Sequence, residues 1–174
     1  MPPFQVLDIL LYRGTGFNAW FIKFLTKSRY SHVAVVVDPG TSKGIESNTG
    51  HRSGVRKFDL SKLDMSAVDV YRLYPQYQVE VKTVIGYLDD RLGARYDWFG
   101  VIFLGFLKLL SLLTLTILKP HNWWQRKQDY FCSELVWEAF ASDGIDLTPQ
   151  TGGSDITSPG DIAESPMLQH INSK

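Results

Sequence analysis

One cysteine stands in the chain, Cys132, and it opens a run, Tyr130-Phe131-Cys132-Ser133-Glu134-Leu135-Val136, whose later apolar positions follow a helical period. A histidine, His32, leads the strand-like run Ser31-His32-Val33-Ala34-Val35-Val36-Val37, 100 residues earlier. A thiol at a helix start and a distant imidazole are the parts of a cysteine nucleophile and its base. Counted from Cys132, the apolar residues Leu135, Val136, Ala139 and Phe140 recur at helical spacing, so the sulfur shares the inward face of an amphipathic helix. In the first turn the helix dipole and the free amides favour a thiolate. Position alone better describes a cysteine that serves only as a small buried hydrophobe.

Such chemistry also needs a third group to orient the base. The turn Asp38-Pro39-Gly40 after the His32 strand sends the chain back through Lys43 to Asn48. If that hairpin pairs Val37 with Lys43, Glu46 lies opposite Ala34 on the face of His32, and Asn48 lies opposite His32 itself. Glu46, diagonally, and Asn48, directly, could both reach the ring to orient it, and a slip of one residue turns both away. A histidine in an aliphatic strand needs a polar partner in any case. His51, His121 and His170 sit in loop-like contexts without metal-ligand spacing, and one cysteine argues against structural zinc, so no metal and no cofactor are expected.

Around these residues the chain divides into short elements. Strands are expected at Val6 to Tyr12, Ser31 to Val37, Lys43 to Asn48, Gly54 to Phe58 and Ala67 to Leu73. An aromatic-rich helix is expected over Phe17 to Thr26, a surface helix over Val79 to Leu92, and the Cys132 helix stops at Gly144. The His32 strand is apolar on both faces, which suggests a central strand of a covered sheet. Thr148 to Gly160 reads as loop and the last residues as peripheral. The length of 174 residues and 44% hydrophobic content fit a single domain over residues 1–174. Lys plus Arg balances Asp plus Glu at 18 each, so no nucleic-acid footprint is present. A single cysteine and an N-terminus without a signal-like apolar core give a cytoplasmic default.

From Trp98 to Leu118 the only charge is Lys108, and His121-Asn122-Trp123-Trp124-Gln125-Arg126-Lys127 follows. Length and composition would suit a membrane span, and the tryptophans with basic residues an interfacial anchor. A single crossing, however, would leave His32 and Glu46 on one side of the bilayer and Cys132 on the other. The run is expected instead to touch the membrane surface through 98–124, to form a lid, or to be a core helix, with Lys108, Ser111 and Thr114 as a narrow polar stripe.

The ordered set resembles the circularly permuted NlpC-type branch of the papain-like cysteine hydrolases, the branch of YiiX- and YebB-like proteins related to the lecithin-retinol acyltransferase-like proteins. The resemblance rests on Leu7-Asp8-Ile9-Leu10-Leu11-Tyr12-Arg13, Tyr30-Ser31-His32-Val33-Ala34-Val35-Val36, Ile45-Glu46-Ser47 with Gly54-Val55, the Cys132 motif, and Ser158-Pro159-Gly160-Asp161-Ile162-Ala163. It implies an α+β, permuted papain-like fold with an antiparallel sheet packed against the Cys-bearing helix. It implies Cys132 as nucleophile, His32 as base and Glu46 as orienter. The oxyanion hole is expected from the Cys132 amide plus a side-chain donor, for which Tyr96 is a candidate. Leu7 departs from the pattern, since many members carry glycine before the aspartate. The activity expected is thioester-mediated cleavage or transfer at an amide or ester, with a lipid or acylated substrate favoured over a peptide. The rival reading is a catalytically silent, membrane-associated interaction module of the same fold.

Overall fold

The computed structural model describes residues 4–48, 53–95, 131–150 and 157–171. The apolar run Trp98–Leu118, the tryptophans at 123 and 124, Tyr96, His51 and His121 lie outside them. Among the described residues no helix is long and apolar enough to cross a membrane.

Six antiparallel strands make one sheet in the order β4-β3-β2-β1-β5-β6. The strands are β1 (Ile9–Tyr12), β2 (His32–Asp38), β3 (Lys43–Asn48), β4 (Gly54–Asp59), β5 (Val68–Leu73) and β6 (Leu168–Ile171). The helices are α1 (Phe17–Thr26), α2 (Val81–Asp90), α3 (Cys132–Ala141) and α4 (Pro159–Ala163). The chain is therefore α+β.

The aliphatic run of β2 lies inside the sheet because both of its faces are covered. Val33 and Val35 join Ile9, Leu11 and Ile45 in a core shared with Cys132, Leu135, Val136, Ala139 and Phe140 of α3. Ala34 and Val36 join Leu10, Val68 and Val70 in a second layer, against which Phe58, Leu63 and Met65 pack. Alternation of side chains across a strand produces this division.

Several boundaries differ from the expectation, each for a local reason. β1 begins at Ile9 rather than Val6, because Leu7 takes φ 66. The position at which the resembled motif carries glycine is thus a left-handed one, which costs a leucine on the order of 1 kcal/mol. Its neighbour Asp8 is fully buried and receives Arg72 at 2.6 and 2.8 Å and the Gln5 amide at 2.8 Å. The β2–β3 hairpin pairs Asp38, not Val37, with Lys43, and a bulge between Val36 and Asp38 absorbs the extra residue. Residues Thr148 to Gly160 are not all loop. Ser158 and Asp161 cap each other reciprocally (Ser158 N–H to Asp161 Oδ2, 2.8 Å; Asp161 N–H to Ser158 Oγ, 3.2 Å), with Pro159 at the first helical position, and this starts α4. The end of the chain is not peripheral either, since Leu168–Ile171 pairs along β5 as β6. α2 is shorter than expected and less superficial: Glu80 caps it, and Val84 and Leu88 are fully buried.

Gly54 opens β4 opposite Asn48 with φ 121, and a Cβ there would meet the Ala94 carbonyl oxygen at 2.2 Å. Backbone conformation and clash both oppose a side chain. Gly54→Ala is expected to cost roughly 2–4 kcal/mol, read as a shift in the urea unfolding midpoint. An unchanged midpoint would contradict this account of the β4 start.

Candidate active site

Cys132 is the first residue of α3, after Phe131 in extended conformation at φ −71° and ψ 156°. Glu134, one turn on, reaches back to accept the Phe131 N–H at 3.2 Å, which fixes where the helix starts. Ser133 Oγ donates to the Thr157 carbonyl at 2.6 Å, tying this turn to the segment that enters α4. Cys132 is 5% exposed, in the core that α3 shares with β1, β2 and β3.

His32 is the first residue of β2 and its side chain is 18% exposed. Its Nε2 lies 2.8 Å from Glu46 Oε2. Cys132 is the other group that acts on the ring, and its influence raises the His32 pKa. With Nε2 engaged by Glu46, Nδ1 is the nitrogen left for sulfur. On the neighbouring strand Tyr12 pairs with His32 and sets its ring 5.1 Å away, tilted 53°.

Glu46 is 6% exposed on its side chain and satisfied at both oxygens. Oε2 faces His32, while Oε1 accepts Asn48 Nδ2 at 3.0 Å and Arg56 Nε and Nη2 at 3.0 and 2.8 Å. Burial alone would push this carboxyl up. The hydrogen bond and charge of His32, with Asn48 and Arg56, outweigh burial and hold it at about 2, against an ordinary 4.5. For His32, burial pulls the imidazole down, but Cys132 and then the hydrogen bond and charge of Glu46 raise it above its ordinary value.

Three groups singled out in the sequence therefore meet: Cys132, His32 and Glu46. Asn48 is placed beside Glu46 and donates to it. Arg56 was not singled out, although counting the β3–β4 ladder from Asn48 opposite Gly54 sets it opposite Glu46. Tyr12 was not singled out either. Its burial, and next the Glu46 charge, push its phenol up, and its buried hydroxyl has no hydrogen-bond partner among the described residues. His170 lies in β6 rather than in a loop, 3.7 Å from Asp69, with its ring 5.0 Å from that of Tyr71 and tilted 33° to it.

The chain matches no family model and no curated protein. Among solved structures it is similar to the crystal structure of the metalloprotein YiiX from Escherichia coli O157:H7, a DUF1105 protein, with a TM-score of 0.70 and 16% identity over 99% of this chain and 98% of that one. The chain thus has a YiiX-like α+β fold. Among the described residues of this chain, no three His, Cys, Asp or Glu are grouped to hold a metal ion. At the site itself the Arg56 guanidinium already supplies the cation at Glu46 Oε1, so the residues gathered here do not fit a metal centre.

Two predictions follow from this geometry. Because the buried Tyr12 hydroxyl has no partner among the described residues, Tyr12→Phe is expected to keep or raise stability, by up to about 1 kcal/mol, in chemical denaturation. A loss above that amount would show that the hydroxyl has a partner. For Glu46 the folded value lies below the ordinary one, so its contribution is present above pH 4.5 and is lost as the pH falls toward about 2. Glu46→Gln should flatten the acid limb of the stability curve in that window. An unaltered limb would contradict the buried ion pair.

Proposed function

We propose that the chain is a cysteine hydrolase or acyltransferase of permuted papain-like design. In this reading Cys132 is the nucleophile, His32 the general base and Glu46 the group that orients His32. The observation that carries it is the His32 ring, bonded to the buried Glu46 carboxylate at 2.8 Å and raised in pKa by the helix-start Cys132. The YiiX-like fold and the order of elements, with the histidine strand and acid strand ahead of the cysteine helix, support it.

The Cys132 sulfur attacks an acyl carbon and a C–S bond forms. As the C–N or C–O bond of the substrate breaks, the leaving group takes the proton held by His32, and a thioester remains. Water or an acceptor hydroxyl or amine then attacks that carbon, giving its proton to His32 as the C–S bond breaks. The Cys132 backbone N–H, free of an intrahelical partner at this first position, stabilises the oxyanion in both steps. Arg56 and Asn48 keep Glu46 charged and fixed, so the carboxylate holds the imidazole without taking its proton. The apolar composition of Trp98–Leu118, set between the two halves of the triad, favours a lipid or acylated substrate over a peptide.

Limiting iodoacetamide at neutral pH tests the reading. The wild-type thiol should alkylate at least about tenfold faster than the same thiol in His32→Ala, because only the former has its base. Glu46→Gln should lose more of the rate than Asn48→Ala. Equal, slow alkylation in wild type and His32→Ala would contradict a catalytic thiol and favour a silent module of the same fold.

A further inference from the structure

In a chain with no net charge, the stretch between Asp8 and Asp38 carries Arg13, Lys23, Lys27 and Arg29 and no acid at all. α1 lies inside it. Residues 20, 23, 24 and 27 follow the i, i+3, i+4, i+7 spacing, so Trp20, Lys23, Phe24 and Lys27 share one stripe running from α1 to its C-terminal cap. Trp20 and Phe24 stack at 5.6 Å and are 56% and 55% exposed, the most exposed large hydrophobics among the described residues. Arg29, just past the cap, has a side chain 61% exposed.

The charges on this surface are not cancelled locally. Arg13 and Arg29 share the single carboxylate of Asp69, and among the described residues no acid pairs with Lys23 or Lys27. Lys23 instead donates to the Gly14 carbonyl at 2.8 Å, which holds its ammonium beside the helix. Aromatic rings with interleaved lysines, and no acid, match an interface of apolar depth under negative headgroups. A groove for an acidic peptide would need a concave apolar floor, whereas this stripe lies on a helix with both rings outward.

We propose that the Trp20–Lys23–Phe24–Lys27 stripe of α1 docks the protein on an anionic lipid bilayer. α1 joins the Tyr12 end of β1 to the His32 end of β2, so docking holds the sheet end that carries His32 near the lipid surface. The contact is separate from the thiol chemistry.

Co-sedimentation of the full chain with phosphatidylcholine vesicles, with and without phosphatidylglycerol, tests it. Wild type should bind the anionic vesicles more tightly, and added salt should weaken the binding. Lys27→Glu should lower that binding about tenfold or more, with one cation lost and one anion gained. Trp20→Ala/Phe24→Ala should lower it at least as far, and Cys132→Ala should leave it unchanged. Trp20, Phe24 and Lys27 are exposed positions, and an unchanged thermal melt checks that the variants remain folded. Binding equal to wild type in both stripe variants, or indifference to phosphatidylglycerol, would overturn the proposal. So would a stripe-dependent dimer that ignores vesicles, since a second copy would then cover the face.

Discussion

The pairing of β2 with β3 is the constraint on which the site depends. Side chains alternate across a strand, so only one parity of register sets Glu46 on the face of His32. The bulge between Val36 and Asp38 takes up the residue by which the turn is out of step, and the inner ladder returns to Ala34 opposite Glu46. The next strand follows the same parity and brings Arg56 opposite Glu46. Three strands thus converge on one carboxylate. Buried, that carboxylate would be costly if unpaired; with the Arg56 guanidinium and the His32 ring against it, it stays ionised.

The thiol reaches this arrangement from a different part of the chain, and the core explains how. Leu135, Val136, Ala139 and Phe140 lock α3 to the face of the sheet that carries Val33, Val35 and Ile45. Glu134 sets where the helix begins, Ser133 ties the first turn to Thr157, and α4 and β6 follow to close the sheet along β5. The sulfur is carried by a helix and the imidazole by a strand, both rigid elements, which suits the chemistry proposed for them.

What was legible in the sequence was what periodicity carries. The bounds of α1 and β3, and the start of α3 at Cys132, agree with the pattern of apolar residues, and the same-face relation of His32 and Glu46 came from counting across the hairpin. Features that depend on one torsion or on distant pairing were not legible. The positive φ of Leu7 shortens β1, and nothing in an aliphatic residue announces it. β6 is four residues long and exists because β5 offers an edge. α4 could have been read from Ser158-Pro159-Gly160-Asp161, a capping box with proline at the first position, had cap chemistry been weighed above loop composition. Arg56 and Tyr12 belong to the site through strand neighbours, and their residue types alone carry no such signal.

The central claim is that one imidazole is held between the Cys132 sulfur and the Glu46 carboxylate, and its protonation reports both. Nitrogen-15 NMR of the His32 ring against pH tests this most directly, with the resonance assigned by His32→Gln. The account predicts a ring still protonated well above its ordinary value of 6.5, with the titration moving down when Cys132→Ser removes the sulfur. A ring that titrates at or below 6.5 and is indifferent to Cys132→Ser would contradict it.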